Sequence, residues 1–274
     1  MARTGPTTLA LPPFEGATRQ LVLFCLGVFF VEAILSWVLP AHMFGMVFGH
    51  LGLVPWQLFH GAIWQLFTYS FLPMDILGEL FTLLFLWFIG SMLEEARGSQ
   101  WLYELFFSGA IGGGLLASLI SLTHVLSLSP LSEGAGLYAA IYALLIAIYV
   151  LMGDREFLFF FVIRIKAKYM VAIYILIDTA RLLLHSASFD ALLHLSGALC
   201  GFLFLKYIPR RGFSYLLTER YYGMRNEYYR AKRRNAAKKF EVYMRKQNRD
   251  VHFDSNGKYV DPDDKDPQDK RWMN

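Results

Sequence analysis

Long apolar runs separated by short polar stretches dominate the first 208 residues of the chain. The runs cover residues 20–39, 76–93, 101–122, 136–152, 168–185 and 190–208. A helix that crosses a bilayer needs roughly 20 mostly apolar residues, and these runs reach or approach that length. The pattern predicts an all-α polytopic membrane protein with a bundle of six transmembrane helices.

Polar segments flank this membrane domain, which we assign to residues 20–208. Residues 1–19 are expected to form a cytoplasmic N-terminal segment. Residues 209–249 are expected to form a basic, helical cytoplasmic tail, and residues 250–274, rich in Asp and Pro, a disordered acidic end. The first connection, residues 40–75, is almost uncharged and rich in Met, Phe and Trp, which indicates a segment lying in the membrane interface.

Composition agrees with a membrane protein. The chain is 55% hydrophobic, and its mean hydropathy of +0.38 is too high for an ordinary soluble domain. The two cysteines, Cys25 and Cys200, fall inside predicted spans, which argues against a disulfide framework or a cysteine-rich metal site. We expect no metal site and no cofactor.

The distribution of Lys and Arg predicts the orientation in the membrane. Both residue types are absent between Arg19 and Arg97 and again between Arg97 and Arg155, and they concentrate after the fourth and sixth runs. Because Lys and Arg accumulate on the cytoplasmic side, both termini are expected to be cytoplasmic. We expect the chain in a bacterial-type inner membrane.

The basic tail combines positive charge with aromatic residues. Tyr221 and Tyr222 are repeated seven residues later as Tyr228 and Tyr229, among many Lys and Arg. A basic segment next to a span favours anionic lipid headgroups, at about 1 kcal/mol per basic residue near the surface. A protein partner is the next alternative, and nucleic acid, which basic and aromatic residues can also bind, is not expected.

Small residues in the fourth and sixth runs indicate close helix packing. Gly197 and Gly201 are four residues apart, a spacing that lets two helix backbones approach closely. Gly136 opens the fourth run and is assigned the same role. His194, three residues before Gly197, is therefore expected to face the protein interior and not the lipid.

Several stretches, taken in order, resemble the rhomboid family of intramembrane serine proteases. Trp64-Gln65 stands where the family has a Trp-Arg pair, and Glu94 with Gly98 resembles the Glu-x-x-x-Gly turn after its second span. The stretch YELFFSGAIGGGLLASL resembles the Gly-rich third span, RIKAKY the entry to the fifth, and HLSGALCG the helix of the catalytic histidine. The resemblance covers roughly residues 20–208 and excludes the tail.

The resemblance implies a Ser–His dyad that this chain lacks. Aligned with the family's Gly-x-Ser-Gly stretch, GLYAAIYALLIA places Tyr138 at the serine, and a shifted register places Gly136 there. The oxyanion positions fall on Gly78 and Thr82, so only His194 of the catalytic set remains. A hydroxyl nucleophile needs an adjacent base, and its reaction needs an oxyanion donor. The resemblance therefore implies a catalytically degenerate pseudoprotease. Serines that could substitute precede Gly136 in the chain: Ser127, Ser129 and Ser132.

Two functional hypotheses follow. In the first, the chain uses a rhomboid-like scaffold to bind or escort membrane segments, or serves as a subunit of a membrane complex. In the alternative, it is an active rhomboid-type intramembrane serine endopeptidase with a non-standard nucleophile. A transporter or channel would need polar faces along several spans, which the sequence lacks.

For the other polar residues inside the spans, the sequence predicts individual contacts. His194 is either a hydrogen-bonding remnant of the ancestral site or the acceptor of a hydrogen bond from the Tyr138 hydroxyl. Asp178 and Arg181 are three residues apart on one helix and are expected to pair. Two further ionisable residues lie in the first and second spans, where such groups are candidates for function: Glu32 and Glu79.

Overall fold

Helices form most of the regular structure in the computed structural model of this chain. The structure describes residues 12–73, 76–125, 128–159, 163–184, 188–208, 212–247, 251–253 and 258–260. The chain divides into two compact units, Met1–Phe213 and Ser214–Asn274.

The first unit is a helical bundle with one short hairpin. Its long first helix and the short helices of the first connection are α1 (Gly16–Val38), α2 (Ala41–Gly49), α3 (Pro55–Phe59) and α4 (Gln65–Thr68), followed by a 3-10 turn (Tyr69–Phe71). The remaining helices are α5 (Ile76–Arg97), α6 (Ser99–Phe107), α7 (Gly113–Ser121), α8 (Tyr138–Met152), α9 (Ala167–Leu183) and α10 (Ser188–Tyr207). Strands β1 (Glu156–Phe159) and β2 (Ile163–Lys166) pair antiparallel between α8 and α9.

The second unit contains the long helix of the basic tail. Helix α11 covers Phe213–Lys246, with nearly all of this helix in the second unit. After it, β3 (His252–Phe253) and β4 (Tyr259–Val260) pair antiparallel. Both strands lie within residues 250–274, for which the sequence predicts disorder. The rest of that segment lies outside the described residues.

In the part of the chain that the structure describes, four helical segments are long and apolar enough to cross a membrane. They are α1, α5, the continuous segment Ser99–Ser121 and α10. In the segment Ser99–Ser121, a π-helical turn, Ser108–Gly112, joins α6 to α7. The prediction of an all-α membrane protein is therefore confirmed, whereas the described residues contain four of the six predicted spans at spanning length.

The fourth and fifth predicted spans correspond to α8 and α9, which are shorter than these four segments. The 15 residues of α8 extend about 22 Å at 1.5 Å per residue, less than the hydrocarbon thickness of roughly 30 Å. All residues of α8 from Ala139 to Ile148 are buried. A helix enclosed in this way is apolar on every side because it faces other helices all round, which explains why α8 has no polar stripe.

The ends of the first unit differ from the predicted domain bounds. Helix α1 begins at Gly16, four residues before the predicted start of the membrane domain, and residues 1–11 lie outside the described part of the chain. The unit ends at Phe213, five residues beyond the predicted bound of the membrane domain.

Candidate functional site

A polar cluster joins three helices of the bundle. Tyr138 begins α8 and Tyr142 follows one turn later, while Asp178 lies on α9 and His194 on α10. Residues at positions i and i+4 share one face of a helix, so both tyrosines face the same neighbours. The cluster therefore combines His194 and Tyr138, the two residues that the resemblance places at the catalytic positions, with a carboxylate from the helix between them in sequence.

Asp178 is the centre of this cluster. Its side chain is 98% buried, and its oxygens accept hydrogen bonds from three donors. His194 Nδ1 lies 2.9 Å from Oδ2, the Tyr142 hydroxyl donates to the same oxygen, and an Arg181 guanidinium nitrogen lies 2.9 Å from Oδ1. The predicted pairing of Asp178 with Arg181 is confirmed. A buried carboxylate requires such partners, because an unpaired one is strongly unfavourable.

His194 is enclosed by aromatic rings as well as hydrogen-bonded. Its ring centroid lies 4.9 Å from that of Tyr138 and 5.1 Å from that of Tyr142. The sequence offered a hydrogen bond from the Tyr138 hydroxyl to His194 as one alternative. In the structure Tyr138 meets His194 ring to ring, and the hydrogen bond of His194 goes to Asp178. His194 thus connects α8, α9 and α10.

Glycines on α10 bring α8 close enough for these contacts. A Cβ atom added to Gly197 would lie 2.2 Å from the Ala139 carbonyl oxygen, and one added to Gly201 would lie 2.6 Å from Ala143 Cα. Either distance is far below an ordinary carbon contact. These two residues have the packing geometry that their spacing predicts.

Gly136 has a different role from the predicted one. It precedes α8 instead of lying within it, and its φ of +96° is in the region that favours glycine. Its N–H donates to the Tyr69 carbonyl, 2.8 Å away. Gly136 therefore turns the chain into α8 and attaches that turn to the first connection.

Gly78 and Thr82, the positions that the resemblance assigns to an oxyanion site, lie one turn apart on α5. The Thr82 hydroxyl donates a hydrogen bond to the Gly78 carbonyl, 2.8 Å away. A hydroxyl has a single proton to donate, so in this arrangement Thr82 satisfies its own helix.

Glu94 and Gly98 organise the end of the bundle at which α1 begins and α5 ends. The Glu94 carboxylate accepts hydrogen bonds from the Ala17 and Thr18 N–H groups, at 2.7 and 2.9 Å, and from the hydroxyls of Thr18 and Ser99. It therefore satisfies free N–H groups at the start of α1. In proteins generally, such groups are often satisfied by the side chain of the residue just before the helix. Gly98 has φ +89° and separates α5 from α6.

In the first connection, Gln65 makes more internal hydrogen bonds than Trp64, the residue that the sequence pointed to. Trp64 is 53% exposed and donates its indole N–H to the His50 carbonyl at 3.1 Å. Gln65 is fully buried, accepts a hydrogen bond from the Val54 N–H at 3.1 Å, and donates to Gln57 Oε1 at 2.7 Å. Sequence reasoning emphasised the tryptophan, whereas the glutamine ties the connection together.

The serines considered as substitutes lie before α8. Ser129 Oγ accepts a hydrogen bond from the Leu131 N–H at 3.2 Å, and the Ser132 N–H donates to the Ser129 carbonyl at 3.0 Å. These bonds close the turn that leads into α8. Ser127 lies outside the described residues.

The part of the cluster that sequence reasoning missed is Tyr142. The signal was present, because Tyr142 is one helical turn after Tyr138. Among the described residues, no group of three or more His, Cys, Asp and Glu side chains could hold a metal ion. The cluster is a hydrogen-bonded and aromatic arrangement.

Comparison with known families assigns the chain to one of them. A model described as "Eukaryotic integral membrane protein (DUF1751)" matches residues 23–240. The chain belongs to this family. The match includes most of the first predicted span, the other five spans and most of α11, so the basic helix is part of the family pattern. No curated protein matches the chain. The family is described as eukaryotic, which does not support the expected bacterial-type inner membrane.

Proposed function

We propose that this integral membrane protein is a rhomboid-like pseudoprotease that binds membrane segments of other proteins or holds them within a membrane complex. The observation that carries the proposal is the enclosure of His194. One ring nitrogen is hydrogen-bonded to Asp178, and the rings of Tyr138 and Tyr142 contact the imidazole. A phenol ring thus occupies the place beside the base where the resemblance puts the serine.

The neighbouring groups also support a binding role. A Ser–His dyad needs room for a scissile carbonyl next to the nucleophile and a donor for the developing oxyanion. The Tyr138 ring fills the space beside His194, and the Thr82 hydroxyl donates to its own helix. Losing one oxyanion donor alone reduces the rate by about 10²–10³. The scaffold therefore keeps its helix packing without the groups that accelerate hydrolysis.

One observation favours the alternative, an active endopeptidase with a non-standard nucleophile. Asp178 is bound to Nδ1 of His194 at 2.9 Å, as the carboxylate of a catalytic triad is bound to its histidine. That arrangement leaves Nε2 as the nitrogen for a nucleophile. Since Asp178 also binds Tyr142 and Arg181, we assign it a structural role.

Active-site labelling separates the two functions. The full chain, purified in mild detergent, is incubated with a fluorophosphonate probe beside a His194→Ala variant. We expect no labelling that depends on His194. Labelling of the wild type that disappears in His194→Ala would establish a histidine-activated nucleophile and refute the pseudoprotease. A Tyr138→Phe variant then shows whether the phenol is that nucleophile.

We infer that all six predicted spans cross the membrane, with both termini on the cytoplasmic side. The support is the Lys and Arg distribution and the enclosure of α8, whose neighbours shield it from lipid. Single cysteines placed in the tail and in the connection before α8, in a chain whose own cysteines are replaced, should react from opposite sides with a membrane-impermeant reagent. Reaction from one side would contradict this topology.

We further infer that the basic tail binds anionic lipid headgroups. Helix α11 begins six residues after α10 ends, and its residues face solvent over most of their length. Arg225 lies 4.7 Å from the centroid of the Tyr222 ring. Hydrogen exchange in residues 213–246 should be slower in bilayer discs with anionic lipid than in neutral discs. Equal rates would contradict the inference.

A further inference from the structure

The burial of helix α1 decreases from its first half to its second. Its fully buried residues all lie in the first half of the helix: Ala17, Thr18, Leu21 and Cys25. Beyond Cys25 no described residue of α1 is fully buried, and Trp37 is 94% exposed. The first half of α1 therefore belongs to the core, whereas the second half is largely open to lipid.

One stripe of the second half faces the same side as the buried residues. Val28, Glu32, Leu35 and Leu39 continue the helical spacing of Leu21 and Cys25. Each of the four is only half-buried. We call them the Glu32 stripe. It lines the side of α1 that faces the bundle, at a level where the bundle covers it incompletely.

Glu32 is the polar residue of this stripe, and it lacks a complete set of partners. Its Oε2 atom is buried and has no hydrogen-bond partner among the described residues. Between Arg19 and Arg97 the chain has no Lys or Arg, so neither the part of α1 after Arg19, nor the first connection, nor α5 before Arg97 offers a cation. A carboxyl group in the hydrocarbon region is unfavourable without a partner and marks a functional position.

We propose that the Glu32 stripe docks a membrane-spanning helix of another protein that carries a Lys or Arg at the depth of Glu32. Val28 packs against the core of the bundle, so the partner's apolar side would cover Leu35 and Leu39, and its basic group would pair with the carboxylate. The proposal rests on the proposed function only in that the partner is a membrane segment.

Charge complementarity favours this occupant over a second copy of the chain. A two-fold pair of α1 helices presents the same patch from both subunits and would bring one Glu32 towards the other. Like charges at close distance repel, whereas a basic side chain forms an ion pair. The position of Glu32 along α1 also defines where the partner's basic residue must lie. Glu32 lies six residues before the end of α1 at Val38, about 9 Å along the helix axis.

The test uses defined transmembrane peptides and the full chain in neutral bilayer discs. One Leu/Ala-rich peptide carries a single Lys at the depth of Glu32, a second carries Leu there, and a third carries the Lys at the opposite depth. Energy transfer between labelled peptide and labelled chain reports binding. We expect the first peptide to bind about tenfold more tightly than the other two, in the range that polar contacts between membrane helices provide.

Variants of the chain assign the effect to Glu32. Glu32→Gln and Glu32→Leu should reduce binding of the first peptide to the level of the Leu peptide. Ser36→Ala, one turn further along α1, should leave it unchanged because the Ser36 hydroxyl bonds the Ala33 carbonyl of its own helix. Equal binding of all three peptides, or a Lys preference that persists in Glu32→Leu, would overturn the proposal.

Two further readouts complete the test. Glu32→Leu should not lower the midpoint of thermal unfolding, because it removes a carboxyl without a full set of partners. A marked decrease would show that the chain itself satisfies Glu32 and would overturn the proposal. Energy transfer between two labelled populations of the chain, abolished by Glu32→Leu, would assign the stripe to a second copy instead. None of these results alters the labelling experiment, so failure here is distinguishable from failure of the proposed function.

Discussion

Replacing Asp178 with Asn tests the polar cluster directly. Asp178→Asn preserves the size of the side chain but leaves one acceptor oxygen in place of two. In the wild type, Oδ2 accepts from Tyr142 and His194, and Oδ1 accepts from Arg181. If the amide oxygen faces Tyr142 and His194, the amide NH₂ group faces Arg181 and that bond is lost. The opposite orientation loses two bonds.

The expected loss of stability follows from these bonds. A hydrogen bond to a charged group contributes about 1.5–3 kcal/mol, and a neutral one about 0.5–1.5 kcal/mol. Losing one charged bond and weakening two others lowers the free energy of unfolding by about 3–5 kcal/mol, the range for removing one partner of a buried ion pair. For a domain of this size, that lowers Tm by roughly 6–20 °C.

The two cysteines provide the assay. Cys25 is buried and Cys200 is partly buried, so a thiol-reactive dye reports unfolding in detergent. The matched control is Asp154→Asn, because the Asp154–Lys168 pair is on the surface and the two side chains are 82% and 38% exposed. The hydrogen bond from Lys168 lowers the pKa of Asp154, but an exposed pair adds little stability. A Tm change in Asp178→Asn no larger than that of the control would refute the role of Asp178.

A double-mutant cycle checks that the bonds act as one network. Tyr142→Phe alone removes one donor and should lower the free energy of unfolding by about 1.5–3 kcal/mol. Combined with Asp178→Asn, it should cost less than the sum of the two single changes, because residues that share a hydrogen bond are not additive. Additive losses would show that Tyr142 and Asp178 do not interact in the membrane domain.

The remaining predictions use the same assay. Tyr138→Phe should leave Tm nearly unchanged because Tyr138 contacts His194 through its ring. Tyr138→Ala, which removes the ring, should lower the free energy of unfolding by roughly 2 kcal/mol. Equal losses in the two variants would show that the hydroxyl, and not the ring, provides the stabilising contact. Gly197→Ala should cost about 1–3 kcal/mol or more because the new methyl meets the Ala139 carbonyl, while Gly27→Ala, where a Cβ meets nothing within 4 Å, should be neutral or stabilising. Glu94→Gln weakens the cap of α1 and should cost about 0.5–2 kcal/mol; no change would mean that solvent satisfies these N–H groups equally well.

The apolar runs determined the helical architecture because a membrane leaves the backbone few alternatives. Within hydrocarbon, every N–H and C=O must be bonded inside the segment, so a run of sufficient length becomes a helix. Helices α5 and α10 begin within two residues of their predicted starts. The Asp178–Arg181 pair was equally readable, because residues three apart on one helix are neighbours whatever the rest of the fold does.

Local sequence did not determine where helices are interrupted. Gly136 is small, so the sequence suggests a role in helix packing. In the structure it has a positive φ, and its N–H donates a hydrogen bond to the carbonyl of Tyr69, far away in the chain. The π turn at Ser108–Gly112 likewise interrupts an apolar run without a charge or proline to mark it. In that turn the Ala110 carbonyl accepts a hydrogen bond from the Tyr69 hydroxyl at 2.6 Å.

The candidate site shows the same division. The sequence alone predicts that His194 faces the protein interior and that Tyr138 lies where the rhomboid resemblance puts the serine. Only the tertiary structure decided that the imidazole binds Asp178 and is contacted by Tyr138 and Tyr142. Those contacts depend on how closely α8, α9 and α10 approach one another, and glycines on one helix matched to alanines on another set that distance. Spacing along one helix is a local property, whereas the fit between helices is a property of the assembled bundle.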